Sequence, residues 1–195
     1  NKDSENLSSI FKAVMFQLTR KLQVKLQQDH SRIRAVDWRP SFVCVSDRSL
    51  NHLPAYDLLR WISNRYGFGT YIYHITGKLD PQTQTQSKEV FQKLIEITED
   101  IHSEVYIDTL VSPSFMSSWA QVIQLPGVSG MENNSCLFEF SIQEPEKLNV
   151  LLPGISLAGG LGFNICVLRS TEHHFGYRRE IHIWLTREDY KNANL

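Results

Sequence analysis

Short apolar segments alternate with helical segments along most of this sequence, and this alternation restricts the possible folds more than any other feature. The apolar segments are rich in β-branched and aromatic residues, which is typical of strands buried on both faces. Five such segments lie at 41–46, 69–76, 104–111, 135–141 and 163–169. Segments with helical spacing separate them, at 53–66, 83–101, 114–125 and 145–152, the last reaching Gly159 in a longer interpretation. This pattern predicts an α/β fold with a mostly parallel sheet and helices on both faces.

A further strand is predicted at REIHIWLT, residues 179–186. No helical segment separates it from the strand at 163–169, and a polar stretch containing STEHHFGYR joins the two. Parallel neighbours need a long crossover connection, whereas antiparallel neighbours are joined by a short one. We therefore expect this strand to be an antiparallel edge strand.

A long amphipathic helix is predicted at residues 8–28, before the first strand. Its apolar residues recur at every fourth position and form one stripe. The stripe consists of Ile10, Val14, Leu18, Leu22 and Leu26. Two interpretations are open: the stripe packs against the domain's own core, or it contacts a partner helix in a dimer. We divide the chain into a connecting helix and hinge at 1–37 and an α/β domain at 38–195, with Trp38 as an aromatic anchor at the boundary.

The charge balance, the length of the apolar runs and the cysteine spacing bear on which partners the chain could have. Its 20 Lys and Arg residues nearly balance 21 Asp and Glu residues, so net charge suggests neither a nucleic-acid partner nor a membrane surface. No apolar run approaches the roughly 18 residues that a membrane helix needs. The three cysteines match no zinc-binding spacing and no disulfide framework, and we interpret them as small buried apolar residues of a reducing compartment. They are Cys44, Cys136 and Cys166.

The candidate site residues are those that follow the predicted strands, because α/β sheets bind ligands beyond the carboxyl ends of their strands. These ends are small and polar, and we predict a small-ligand crevice near Ser46, Asp47 and Ser112. The alternative is that these residues are ordinary helix caps and turn residues. No His accompanies a nucleophile and a carboxylate at a recognisable spacing, and no phosphate-binding loop or metalloprotease motif occurs. We therefore predict no enzymatic activity, no metal and no cofactor.

The stretch LPGVSGMENNS, residues 125–135, resembles a glycine-rich phosphate-binding loop. Such loops run from a strand into a helix, so that the free N–H groups of the helix face the anion. This stretch runs from a predicted helix into a predicted strand. Gly127 and Gly130 are therefore interpreted as left-handed cap and turn residues, and no phosphate is expected there.

Three segments resemble the cytosolic domain of the cation-chloride cotransporters. VDWRPSFVCVS (36–46) is similar to the segment that opens that domain, with an aromatic residue, Arg-Pro and an apolar strand. Residues 104–140 are similar to the family's strand, helix, glycine-rich turn and strand. Residues 179–195 are similar to a segment with an Ile-Asp-x-Trp-Trp strand, although His182 and Leu185 replace its acidic residue and second Trp. These departures look more like a prokaryotic relative, a group often labelled amino-acid permeases.

The resemblance implies a non-catalytic domain that lies at the cytoplasmic face of the cell membrane. In that family the domain regulates transport, forms a homodimer and belongs to the same chain as the membrane transporter. Its fold resembles that of universal-stress proteins, some of which bind ATP, so an adenine-nucleotide-sensing module is the alternative function. The resemblance also implies that this chain is the first half of a longer cytosolic region. The expected contacts with the dimer partner or the membrane domain are Ile10, Val14, Leu18, Leu22 and Trp38.

Overall fold

The computed structural model describes residues 2–29, 38–64, 67–99, 103–125, 127 and 132–171. Five strands in this part of the chain form one all-parallel sheet. They are β1 (Ser41–Ser46), β2 (Phe68–Thr76), β3 (Val105–Ser112), β4 (Ser135–Ser141) and β5 (Asn164–Ser170). Their order across the sheet is β3-β2-β1-β4-β5. The chain therefore proceeds outward from β1 to β3 and then crosses back to the other side of β1.

Helices cover both faces of the sheet. The described residues form five helices, of which the last four cover the sheet: α1 (Lys2–Asp29), α2 (Pro54–Ser63), α3 (Pro81–Glu99), α4 (Phe115–Val122) and α5 (Lys147–Gly160). The first core cluster joins α2 and α3 to one face of the sheet, and the second joins α4 and α5 to the other. The predicted α/β fold, with a parallel sheet and helices on both faces, is thus confirmed. The strand predicted at 179–186 lies outside the described residues.

The core beneath α2 and α3 contains two contacting tyrosines. Helix α2 presents three residues together to the sheet, because they lie on one side of the helix: Ala55, Tyr56 and Leu59. All three are buried in the same cluster as Leu94 of α3. The rings of Tyr56 and Tyr71 meet edge to face with their centroids 5.8 Å apart. Large aromatic side chains therefore fill the space between α2 and β2.

The opposite core is centred on Trp119 of α4, which stacks on Phe138 of β4 at a centroid distance of 4.1 Å. Helix α5 packs against this pair through Gly154, where a Cβ atom would lie 3.2 Å from the Phe138 ring. Glycine thus permits the close approach of α5 to β4. The helix continues through Pro153 to Gly160, so the longer of the two interpretations of this segment is correct.

Helix α1 is a single helix that begins earlier than predicted, at Lys2, and ends at Asp29. Its large apolar side chains between Leu7 and Val24 are each at least 46% exposed. The stripe from Ile10 to Leu22 is therefore not buried against any part of the chain that the structure describes, and within that part the interpretation that it packs into the domain's own core has no support. No helix among the described residues is both long enough and apolar enough to cross a membrane.

The three cysteines are all free thiols. Cys44 and Cys136 are buried in the two cores, and Cys166 on β5 is half-buried. Burial raises the pKa of each thiol, to about 12 for Cys136. The thiols are therefore protonated and poorly reactive at neutral pH.

Candidate functional site

The sheet opens between β1 and β4 towards the carboxyl ends of these strands. Pairing between β1 and β4 covers only Phe42–Cys44 with Ser135–Leu137. By contrast, β1 remains paired with β2 up to Ser46, and β4 remains paired with β5 up to Ser141. We call the unpaired ends, residues 45–47 and 138–141, the β1–β4 split. The strand order reverses at the same place, and this is where open α/β sheets bind ligands.

An ion pair connects the two loops that leave the split. Arg48 follows β1, and its Nη1 donates a hydrogen bond to Oε2 of Glu144, which follows β4, at 3.0 Å. Lys147 Nζ lies 3.2 Å from the same oxygen. The Glu144 side chain is 42% exposed, so solvent screens this pair and it contributes only about 0–1 kcal/mol to stability. Its effect is to hold the rims of the split together.

A second contact joins the loop after β1 to the end of β5. The Nε2 atom of His52 lies 2.7 Å from the backbone oxygen of Thr171. Because a carbonyl oxygen only accepts hydrogen bonds, Nε2 carries the proton in this contact. The loop from β1 to α2 is therefore tied to the loops that follow β4 and β5.

Glu139 is an acidic side chain within β4, at the bottom of the split. Both of its carboxylate oxygens are buried and have no hydrogen-bond partner. Burial raises the pKa of Glu139, while Ser170, Arg48, the Ala55 N–H group and His52 act in the opposite direction. These four groups lie near the carboxylate, but none completes a hydrogen bond to it.

The predicted crevice residues are only partly brought together. Ser46 ends β1 at the split, and its buried Oγ accepts a hydrogen bond from the Arg48 backbone N–H at 3.3 Å. Asp47 is the next residue and is exposed. Ser112 ends β3, which is separated from β1 by β2. The structure thus places Ser46 and Asp47 at the split and Ser112 away from it.

Ser112 has a local structural role at the start of α4. Its Oγ donates to the Ser114 backbone oxygen at 3.2 Å and forms a short contact with Ser117 Oγ. Its backbone oxygen accepts from the buried His74 ring at 3.2 Å and from the Gly77 N–H at 3.0 Å. Ser114 caps α4 by accepting from the Ser117 N–H. This geometry is that of a helix cap, the alternative interpretation of Ser112.

The start of α2 is poorly suited to an anionic ligand such as phosphate. Pro54 occupies its first turn and has no N–H group to donate. The segment 47–53 that leads into the helix contains no glycine, so side chains crowd the approach to its backbone. The carboxylate of Glu139 lies near the Ala55 N–H group, where a phosphate would otherwise be stabilised. The protein's own anion therefore disfavours phosphate at this helix terminus.

Residues 133 and 134, at the end of the glycine-rich stretch, lie at the amino end of β1, opposite the split. The Asn134 side chain accepts from the Ser41 N–H at 3.0 Å and donates to the Arg39 backbone oxygen at 2.6 Å. Asn133 Oδ1 accepts from Ser41 Oγ at 3.1 Å. These side chains fix the entry of β1, whereas residues 126 and 128–131 lie outside the described part of the chain.

Sequence reasoning missed Glu139, Arg48, His52 and Glu144 as components of the site. Glu139 carried the clearest signal, because it is the one charged residue in the apolar segment SCLFEFS. Arg48, His52 and Glu144 lie in polar loops, where charged residues are ordinary. Among the described residues, no group of three or more His, Cys, Asp and Glu residues could hold a metal ion.

The strand order, the helices on both faces and the β1–β4 split define a doubly wound α/β domain whose split lies at its topological switch point. The chain matches no known protein-family model and no curated protein sequence.

Proposed function

We propose that this chain is the non-catalytic regulatory and dimerisation domain of a secondary transporter similar to the cation-chloride cotransporters. In this proposal a membrane domain of the same protein carries out transport, and the α/β domain lies at the cytoplasmic face of the membrane. The universal-stress-like fold and the antiparallel edge strand at 179–186 belong to the same proposal. The described strand order and the helices on both faces are compatible with them.

The observation that carries the proposal is the exposed apolar surface of α1. At 1.5 Å per residue, this helix is about 42 Å long. Four apolar side chains along one side of the helix are each more than half exposed: Ile10, Val14, Leu18 and Leu22. Monomeric proteins rarely expose contiguous apolar surface of this kind, which usually marks an interaction site. A second copy of the same helix offers a matching apolar stripe.

The joint after α1 supports a connecting role for this helix. Trp38 is 57% exposed, so it is available to contact a partner or the membrane domain. The two residues after it are fixed to the amino edge of the sheet. Pro40 O accepts from the Phe68 N–H at 2.8 Å, and Arg39 O accepts from the Asn134 side chain. The chain thus enters the domain at a defined position.

Substitution of Leu18 by Glu tests the dimer. A buried, unpaired carboxylate in an apolar helix interface is strongly unfavourable, so we expect Leu18→Glu to weaken association at least tenfold, or by about 1.4 kcal/mol or more. Ala13→Glu is the matched control, because Ala13 lies about 140° around the helix from Leu18. Sedimentation velocity over a range of concentrations measures the effect. A wild-type chain that stays monomeric at high concentration, or an unchanged Leu18→Glu variant, would contradict the proposal.

The alternative candidate is a nucleotide-sensing module, and the β1–β4 split is the observation that favours it. The buried carboxylate of Glu139 weighs against phosphate at this position, as argued above. Isothermal titration with ATP distinguishes the two candidates. Saturable heat at submillimolar ATP would support the nucleotide sensor, and no heat at millimolar ATP would rule it out.

A further inference from the structure

Helix α4 is too short to cover the full length of the strands beneath it. It has eight residues and is about 12 Å long, whereas the eight extended residues of β3 span about 26 Å. The helix starts at the carboxyl end of β3, where the ring of Phe115 contacts His74 at a centroid distance of 5.6 Å. It ends at Val122, and the rings of Phe68 and Tyr106 near the amino ends of β2 and β3 are 43% and 47% exposed. The amino ends of these strands are therefore uncovered on the α4 side.

An open pocket of about 320 Å³ lies at these uncovered amino ends. Side chains alternate between the two faces of a strand, and Val43, Ile72 and Leu110 mark the α4 side because they pack in the core cluster of that face. Five lining residues are an even number of positions from these three and thus share that face: Ser41, Phe68, Thr70, Glu104 and Tyr106. The register places Ser41 beside Phe68 and Thr70 beside Tyr106. The pocket is thus built by three neighbouring strands.

Thr70 is the buried polar residue of the pocket. It is only 7% exposed, and its hydroxyl forms no hydrogen bond with another residue in the described part of the chain. By contrast, the Ser41 hydroxyl is already used, because it donates to Asn133 Oδ1 at 3.1 Å. Buried polar groups are nearly always paired in folded proteins. A ligand in the pocket would complete the hydrogen bonding of Thr70.

The rim of the pocket is aromatic and acidic. Phe68 and Tyr106 expose their rings, and Glu104 lies two residues before Tyr106 on the same face of β3. Asp108, two residues further along, is also exposed and adds a second carboxylate to this face. No Lys or Arg is among the described residues that line the pocket. The charge of this surface therefore favours a positively charged ligand.

We propose that this pocket binds the guanidinium or ammonium group of a small organic cation. Such groups are attracted to the faces of aromatic rings and pair with carboxylates, here Phe68, Tyr106 and Glu104. The Thr70 hydroxyl accepts a hydrogen bond from the N–H groups of the cation. Ligand pockets usually have volumes of roughly 300–1,000 Å³, so this one suits a ligand of amino-acid size. The site lies at the end of the sheet opposite the β1–β4 split and does not depend on the proposed transporter role.

Titration calorimetry of the 195-residue chain with three probes tests the inference. Nα-acetyl-argininamide carries a guanidinium group, Nα-acetyl-lysinamide carries an ammonium group, and Nα-acetyl-citrullinamide has nearly the shape of the first probe without its charge. We expect saturable binding of a charged probe with a Kd of roughly 1 mM and about tenfold weaker binding of the citrulline probe. Binding of only the arginine probe identifies a guanidinium site, binding of only the lysine probe an ammonium site, and binding of both the shared cation chemistry.

Substitutions assign the binding to the pocket. Glu104→Gln removes the charge of an exposed side chain and is expected to reduce the preference for the charged probe from about tenfold to about twofold. Thr70→Val keeps the shape but removes the hydroxyl, and should weaken binding of the charged probe about fivefold. Tyr106→Leu removes one exposed ring and should weaken it about threefold. Glu89→Gln is the matched control, because Glu89 is an exposed carboxylate on α3, which covers the other face of the sheet.

Three results would overturn the inference. The first is the absence of saturable heat with every probe at concentrations up to about ten times the expected Kd. The second is a citrulline probe that binds as tightly as the charged probes, which would mean that charge does not matter. The third is binding that Glu104→Gln and Tyr106→Leu leave unchanged, which would place the cation elsewhere on the chain.

Discussion

Glu139 shows how one side chain departs from the pattern of its strand. The residues before it in β4, Cys136, Leu137 and Phe138, are fully buried and apolar. A carboxylate in such a position is destabilising when ionised, because the surrounding groups do not replace the hydrogen bonds that it makes with water. Its presence therefore makes the stability of the domain dependent on pH.

We predict that Glu139→Gln becomes more stable than the wild-type chain as the pH rises. The folded-state pKa of Glu139 lies above its unfolded value, so the folded state binds the proton more tightly. The associated stability is fully present below the unfolded pKa of about 4.3 and is lost as the pH rises through the folded pKa. At about pH 8 the variant should exceed the wild type by on the order of 1 kcal/mol, and the difference should vanish near pH 4.

Urea unfolding at about pH 4 and at about pH 8 measures this difference. Glu144→Gln serves as the control, because its carboxylate is partly exposed and its substitution should give a smaller change that does not follow the same pH window. A Glu139→Gln variant whose advantage is constant between these pH values would show that Glu139 is not the titrating group.

At the scale of elements, α5 illustrates a helix whose position depends on one small residue. Gly154 faces Phe138 and Trp119, and an added Cβ would lie 3.2 Å and 3.6 Å from their rings. Gly159, in the same helix, has no atom within 4 Å of an added Cβ. The two glycines therefore separate the effect of packing from the effect of helix propensity.

We predict that Gly154→Val destabilises the domain by about 1–3 kcal/mol, because the larger side chain forces α5 away from β4. Gly159→Val should change the free energy of unfolding by no more than about 0.5 kcal/mol. Urea unfolding monitored by Trp fluorescence measures both. Equal effects at the two positions would mean that α5 does not pack closely on the Trp119–Phe138 pair.

Much of this element-level arrangement could be predicted from the sequence. Apolar β-branched segments such as SFVCVS form parallel strands wherever both faces are covered, and their bounds agree with the structure to within about two residues. The sequence leaves the continuation of α5 past Pro153 open, because local sequence does not show that packing at Gly154 favours the longer helix. The site was less predictable, since Arg48 and Glu144 are 96 residues apart and meet only because β1 and β4 are neighbours in the sheet. Residues at strand ends, such as Ser46, could be found because their place follows from topology alone.

At the scale of the whole molecule, the chain combines an exposed helix with a domain that has its own two cores. No side chain of α1 from Leu7 to Lys25 is buried or half-buried. The helix therefore contributes little to the stability of a single copy. Stability and association should depend on different parts of the chain.

We predict that residues 38–195 alone fold with a Tm within about 2 °C of the full chain at low concentration, where association is negligible, because the described side chains of α1 make no core contact. The same truncation should abolish the concentration-dependent association that α1 provides. Calorimetry and light scattering on the two chains measure these properties separately. A truncated chain that unfolds, or that still dimerises, would contradict the division at residue 37.

The limited pairing of β1 with β4 also has a mechanical consequence. Hydrogen bonds join the two strands only near their amino ends, where Asn133 and Asn134 tie the segment before β4 to the start of β1. The sheet thus consists of two blocks, β3-β2-β1 and β4-β5, whose backbone pairing is confined to the amino ends of β1 and β4, while the partly exposed Arg48–Glu144 ion pair bridges the other end. Under applied force, or during a slow fluctuation, the two blocks would rotate relative to each other about the paired amino ends of β1 and β4. The sheet would then deform mainly at the boundary between β1 and β4, instead of bending evenly across all five strands.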